Sequence, residues 1–317
     1  MATDKGVWDL QEVRDKQLAS NWNYSAPGDP NRLMTWGYNQ DGQLGLNQPT
    51  TTAYSSPVSI TGQWTKIYRH YGDNYRAVAK ESGTLWMWGC NENGVLGQNQ
   101  GHDVSPRSSP TQVGTENTWN KVWAGEGAII GNKTDGTLWA WGSNSYGNIA
   151  QNNSHTGYSS PTQIGTDTTW TKSVVAGIAC AAIKTDGSLW MWGRNWRGGL
   201  GQNSHTRRSS PTQVGTDTTW KYIYGNGDSW GAIKTDNTMW TWGRAWGGGL
   251  GLNESGNDAT SRSSPTQVPG TTWAFIAETG STGMATKTDG TLWSWGTNEY
   301  ASLGQNNKIY YSSPIQI

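Results

Sequence analysis

From residue 33 onward, apolar and polar positions alternate with period two in short bursts, and turn-forming stretches separate the bursts. AAIKTDGSLWMWG (181–193) predicts two short strands about a tight turn, because Asp-Gly tolerates the positive φ that a two-residue hairpin needs. Within LWMWG the alternation puts the two Trp on one face and Leu and Met on the other. WTKSVVAG (170–177) reads as a further strand. SPTQV reads as another, with Pro at its start, where no ladder donor is lost. Four short strands thus fall within about fifty residues, with no helical periodicity between them.

This unit recurs. Its strongest word is LMTWG at 33–37, LWMWG at 85–89, LWAWG at 138–142, LWMWG at 189–193, MWTWG at 239–243 and LWSWG at 292–296. The second Trp of each copy (Trp36, Trp88, Trp141, Trp192, Trp242, Trp295) follows the previous one by 52, 53, 51, 50 and 53 residues. Each copy is followed by a turn-rich stretch such as CNENGVLG (90–97), and then by Ser-Ser-Pro, ending at Pro57, Pro110, Pro161, Pro211, Pro265 and Pro314. A further Trp comes next in five cases: Trp64, Trp119, Trp170, Trp220 and Trp273. The first copy lacks the preceding Trp and the Lys-Thr-Asp-Gly half. Six repeats of four strands predict an all-β chain. The architecture is a single β-propeller of about six four-stranded blades, seven being possible, in which Trp wedges fill the space between neighbouring sheets. The domain reading is an N-terminal arm at 1–22, a linker or ring-closing segment at 23–32 and the propeller at 33–317.

Composition narrows the function. Trp numbers 22 and Gly 43 against a single Phe, so one Trp role is repeated many times. The formal net charge is zero, which gives no basic excess for nucleic-acid binding. No run of 18 apolar residues predicts a membrane span, and the N-terminus lacks the basic-then-apolar order of a signal peptide. Cys90 and Cys180 stand at different repeat positions and read as small packing residues, and the four His show no metal-ligand spacing; no metal or cofactor is expected. No Ser-His-Asp order or repeated carboxylate pair suggests catalysis, and Asp135, Asp186, Asp236 and Asp289 read as turn formers. RNWRGGLG and RAWGGGLG follow a strand but open no helix, so they do not read as phosphate cradles. The chain is therefore expected to be non-enzymatic.

AIKTDGSLWMWGRNWRGGLGQN (182–203) resembles the repeat of the regulator of chromosome condensation family: an Asp-Gly turn, an aromatic-x-Trp-Gly strand, then Asn-x-x-Gly-x-Leu-Gly. The resemblance spans about residues 33–317 and implies a propeller, usually of seven blades. Family members include an exchange factor for a small GTPase and a secreted inhibitor of β-lactamase, so the fold implies binding rather than one activity. This chain departs from the family in blade count and in lacking the His before the second strand, where Arg76, Ile129, Cys180, Trp230 and Gly283 stand.

Residues 1–20 lie outside the repeat. Gly-Val-Trp-x-Leu at 6–10, with Asn-Trp at 21–22, resembles N-terminal segments of bacteriophage tail and virion surface proteins. That resemblance makes Val7, Trp8, Leu10 and Val13 a candidate anchoring arm for other virion or tail proteins. Positions that vary between copies are the free ones. Copies four and five place Arg194, Trp196, Arg197, Arg244 and Trp246 in the loop after Trp-Gly, and Trp230 near the adjoining loop. Arg and Trp dominate binding hot spots, so these six form the candidate binding face. The first functional reading is a virion surface or tail-fibre protein that binds host glycan or protein. The alternative is a soluble protein-binding propeller, cytoplasmic or released, that acts as an enzyme inhibitor or GTPase regulator.

Overall fold

The computed structural model describes residues 33–48, 52–68, 76–100, 106–254, 260–278 and 281–317. The anchoring arm and the ring-closing segment fall outside them. The first sheet has two strands, β1 (Leu33–Gly37) and β2 (Tyr54–Ile60). Five antiparallel sheets of four strands follow, each in chain order from the channel outward. The second blade is β3 (Lys66–Tyr68), β4 (Arg76–Glu81), β5 (Thr84–Gly89) and β6 (Arg107–Gln112). The third is β7 (Trp119–Ala124), β8 (Ala128–Lys133), β9 (Leu138–Gly142) and β10 (Tyr158–Gln163). The fourth is β11 (Trp170–Ala176), β12 (Ala179–Lys184), β13 (Leu189–Gly193) and β14 (Arg208–Gln213). The fifth is β15 (Trp220–Asn226), β16 (Ser229–Lys234), β17 (Met239–Gly243) and β18 (Arg262–Val268). The sixth is β19 (Trp273–Glu278), β20 (Thr282–Lys287), β21 (Leu292–Gly296) and β22 (Tyr311–Gln316). The first strands of successive blades touch one another, so they line the channel. The repeat supplies all four strands of every blade except the first, where only the third and outer strands are present among the described residues.

The alternation in LWMWG decides how blades stack. Leu189 and Met191 pack forward against Trp220 and Trp242 of the fifth blade. Trp190 and Trp192 face the other way, with Trp170, onto Ala128, Ile130 and Leu138 of the third. The second Trp is also a polar staple: its Nε1 donates to a carbonyl in the loop of the preceding copy. The pairs are Trp88 to Gln43, Trp141 to Val95, Trp192 to Asn148, Trp242 to Gly199 and Trp295 to Gly249, at 2.8 to 3.0 Å. This bond satisfies a buried indole N–H that would otherwise cost the junction part of what the ring's burial contributes.

The Asp-Gly turn carries a relay that the sequence reading reduced to turn formation. Asp135 Oδ1 accepts from the amide and hydroxyl of Thr137, and Thr137 Oγ1 accepts from Trp139 Nε1. The same three residues recur at 186–190, 236–240 and 289–293, with Ser188 for Thr in the first of these. Beside it, the Lys184 ammonium lies over the rings of Trp190 (4.1 Å) and Trp170 (4.7 Å) and pairs with Asp167; Lys234 repeats this with Trp240, Trp220 and Asp217. The Lys184 hydrogen bond, with that of Thr169, holds the Asp167 carboxyl down at about 2. Asp217 also lies at about 2: burial pushes it up, but the Lys234 and Thr219 bonds outweigh this. Both carboxyls therefore titrate below their unfolded value of about 3.9. Their stabilisation is complete above about pH 4 and is lost as pH falls towards 2. Melting temperature measured against pH should drop over that window, and less steeply in Asp167→Asn, Asp217→Asn.

Proline placement differs from expectation. Pro211 lies inside β14, not at its start, between Arg208 and Thr212 where the pairing with β13 shifts register. β14 is an outer strand, and a bulge on an edge needs no donor from Pro.

Among the described residues, the ring is open between the last blade and the first. Five junctions carry a latch in which the backbone N–H of an Asn donates to a Ser carbonyl of the next outer strand: Asn47 to Ser108, Asn99 to Ser159, Asn152 to Ser209, Asn203 to Ser263 and Asn253 to Ser312. Shortly before each Asn, a glycine of positive φ would drive a Cβ to within 2.5 to 2.8 Å of that serine's backbone: Gly42, Gly94, Gly147, Gly198 and Gly248. The sixth copy has exposed Ala301 there, at φ 58°. An alanine fits only where no following blade packs at the usual spacing. Exposure agrees. Trp36 is 59% exposed where its five counterparts are buried, and Leu292 is 37% exposed where Leu85, Leu138, Leu189 and Met239 are fully buried. Leu292 and Trp36 are the two residues that a six-blade closure would press together, and both are exposed.

Candidate functional site

Two loops from neighbouring blades meet at the end of the propeller opposite the Asp-Gly turns. The loop after Trp-Gly in the fourth blade is anchored by Arg194 N–H donating to the Ile178 carbonyl, and that in the fifth by Arg244 N–H donating to the Asp228 carbonyl. Buried Asn195 braces the fourth-blade loop from within: its Oδ1 accepts from the Leu200 amide, and its Nδ2 donates to the carbonyls of Ser204 and Thr206. Asn39, Asn91, Asn144 and Asn298 brace their loops through the same amide bond. These asparagines were not singled out from sequence, although their recurrence two residues after Trp-Gly is visible there. Short 3-10 turns at Trp196–Gly198 and Trp246–Gly248 then lift both Trp side chains into solvent.

Five of the six expected binding residues lie in these loops. Trp196 and Trp246 are 59% and 50% exposed, each with its own copy's guanidinium over the ring: Arg194 at 4.7 Å from Trp196, Arg244 at 5.4 Å from Trp246. Arg197 has φ 55° within its turn. Arg194 carries a structural duty as well. Its Nη2 pairs with Asp228 Oδ1 in the β15–β16 turn of the fifth blade at 2.8 Å, and because the Asp228 carbonyl accepts from Arg244 N–H, this turn joins the two loops, so Arg194 is not a free cation.

Trp230 is a correction. It lies in β16, fully buried, within the apolar core between the fourth and fifth blades. Gly225 on the paired strand leaves room for its ring: a Cβ there would come within 2.4 Å of Trp230 Cε3. The alternation of SWGAIK puts this side chain inward, and the sequence reading placed it by proximity to the loop alone.

The face extends further than the sequence indicated. Trp246 and Gly247 line an open cleft of about 620 Å³ with Thr297, Glu299, Tyr300 and Tyr310 of the sixth blade. Tyr300 and Tyr310 are exposed. The last copy's NEYAS and KIYY stretches therefore supply aromatic residues to the same rim as the Arg-Trp pairs. Cys90 and Cys180 form no disulfide, and burial pushes the Cys180 thiol far above the usual range, which leaves it inert.

The regulator of chromosome condensation (RCC1) repeat matches residues 82–127 and 186–224. Among curated proteins, the human probable E3 ubiquitin-protein ligase HERC6 is 26% identical over 54% of this chain and 17% of its own length. The X-linked retinitis pigmentosa GTPase regulator of the dog, Canis lupus familiaris, is 28% identical over 39% of this chain and 12% of its own length. The chain thus spans less than a fifth of these relatives. Among solved structures, human WBSCR16 superposes with a TM-score of 0.72 at 17% identity, covering 90% of this chain and 78% of that one. Prp20p of Saccharomyces cerevisiae superposes at 0.69 and 17%, covering 90% and 73%. Strand order and superposition agree that the chain is an all-β propeller, and two of its stretches, 82–127 and 186–224, match the regulator of chromosome condensation repeat.

Proposed function

We propose that the chain is a non-enzymatic scaffold that binds a folded protein partner through the loop rim of its fourth to sixth blades. The observation that carries this reading is the exposure of Trp196 and Trp246, each under a guanidinium, beside the cleft walled by Tyr300 and Tyr310. Large rigid aromatics with Arg at a rim are the residues from which protein hot spots are built. The solved relative Prp20p is described by its binding to Gsp1p and histones, and the canine relative by its name as a GTPase regulator; both favour a protein partner. This reading takes precedence over a virion surface or tail-fibre role, which rested on the arm motif at residues 6–22 and on the polar, Trp-Gly-Asn-rich propeller.

The test is recovery of partner from an extract of the source cells on immobilised protein, comparing wild type with Trp196→Ala, Trp246→Ala, Tyr300→Ala. All three side chains are exposed, so the variant should melt within a few degrees of wild type. The expected result is a stoichiometric partner held by wild type and reduced at least about tenfold in the variant. Equal recovery would remove the rim from consideration.

A further inference from the structure

The channel wall holds a second, separate feature. Two residues after the first Trp of each copy stand Lys66, Lys121, Lys172, Tyr222 and Phe275, and two further on stand Tyr68, Trp123, Val174, Tyr224 and Ala277. Tyr222 and Phe275 lie with ring centroids 5.2 Å apart in a tilted contact. Between β7, β11 and β15 these positions line a cavity of about 190 Å³, with Lys121 and Trp123 from β7, Lys172 from β11, and Tyr222 and Tyr224 from β15. Ion pairs among the described residues go to Lys133, Lys184, Lys234, Arg194 and Arg262, and neither cavity lysine has one. Lys172 Nζ donates to the Lys221 carbonyl, which satisfies one proton and neutralises nothing.

Two partly buried ammonium groups facing one cavity repel each other and lose hydration. Burial first, then the Lys121 and Lys221 cations, hold the Lys172 ammonium below the ordinary lysine range. A structural role for Lys121 and Lys172 would need a counter-charge or a snorkelling path to solvent. The first is absent among the described residues, and the second does not explain why Trp123, Tyr222 and Tyr224 line the same cavity. An anion in the cavity answers both. It would be small, because 190 Å³ lies below the volume that drug-sized ligands occupy. It would be flat and apolar at one end, because the aromatic side chains of Trp123, Tyr222 and Tyr224 line the cavity.

We infer that this channel cavity binds a small aromatic anion, its carboxylate or phosphate between Lys121 and Lys172 and its ring against Trp123 and Tyr222. The site is independent of the loop rim and of any protein partner there.

The probes are benzoate, phenyl phosphate, benzyl alcohol and inorganic phosphate, titrated calorimetrically into the full chain at constant ionic strength. Benzoate or phenyl phosphate should bind in the micromolar to low-millimolar range; whichever is tighter identifies the acid group. Benzyl alcohol, which keeps the ring without the charge, should bind at least about tenfold more weakly, since a hydrogen bond to a charged group contributes roughly 1.5–3 kcal/mol. Inorganic phosphate should also bind at least about tenfold more weakly than phenyl phosphate, because it leaves the ring wall unused. Lys121→Gln, Lys172→Gln removes a repulsion, so it should fold at least as stably as wild type while losing benzoate and phenyl phosphate together. Trp123→Leu should weaken the aromatic anions and leave inorganic phosphate unchanged. No heat with either aromatic anion up to about 10 mM would overturn the proposal. So would equal affinity for benzyl alcohol, or binding that survives the double lysine variant.

Discussion

Replacing Trp192 with Ala should destabilise the propeller by about 3–5 kcal/mol, whereas Trp36→Ala should change stability by less than about 0.5 kcal/mol. The two residues occupy the same position of the same repeated word. Trp192 is fully buried, meets Trp170 edge-on and donates to the Asn148 carbonyl of the preceding copy at 3.0 Å. Its removal leaves a cavity at a blade junction and an Asn148 carbonyl whose remaining donor is the weak Cys180 thiol at 3.3 Å. Trp36 has no preceding copy of the repeat against it among the described residues and is largely in solvent. Urea unfolding followed by far-ultraviolet circular dichroism reads the difference. Each blade touches only its neighbours, so the Trp192 variant should also broaden the transition as the halves on either side of the junction uncouple. Equal losses in the two variants would show that intrablade packing, not the interblade staple, is what this Trp supplies.

That contrast also marks how much the sequence could reveal. Blade boundaries were legible because a strand of alternating Trp and Leu must bury both faces, and only stacked neighbours can do so; the spacing of Trp88, Trp141, Trp192, Trp242 and Trp295 is the spacing of the blades. The loops bearing Trp196 and Trp246 were legible because they differ between copies that are otherwise alike. Trp230 was misplaced because proximity in sequence to a loop does not determine which face of a strand a side chain takes. Pro211 was misplaced because a bulge lets an outer strand continue through a residue without an amide. The Tyr300 and Tyr310 contribution was missed because it comes from the next blade, a contact set by stacking rather than by spacing. Ala301 was legible in letters but not in meaning. Only the serine backbone standing over its five glycine counterparts shows what that methyl would strike.

Gly243→Ala should be among the most damaging single methyls in the binding half of the molecule, at about 4 kcal/mol or outright failure to fold, while Gly37→Ala should show only the backbone strain of about 1–3 kcal/mol. Both glycines end the Trp-Gly word with φ near +100°, at 91° and 103°, a region that L side chains rarely adopt. They differ in surroundings. A Cβ on Gly37, in the first copy, meets nothing within 4 Å, whereas one on Gly243 would lie 2.0 Å from the Asp228 carbonyl oxygen. That carbonyl accepts from Arg244, and the Asp228 side chain pairs with Arg194. The methyl therefore strikes the point where the loops of the fourth and fifth blades are joined, and relief by movement separates Trp196 from Trp246. Thermal melting of both variants gives the stability difference. Should Gly243→Ala fold, its partner recovery should fall although no residue of the exposed rim has changed, since the rim is held in register from below by a backbone contact that only glycine permits.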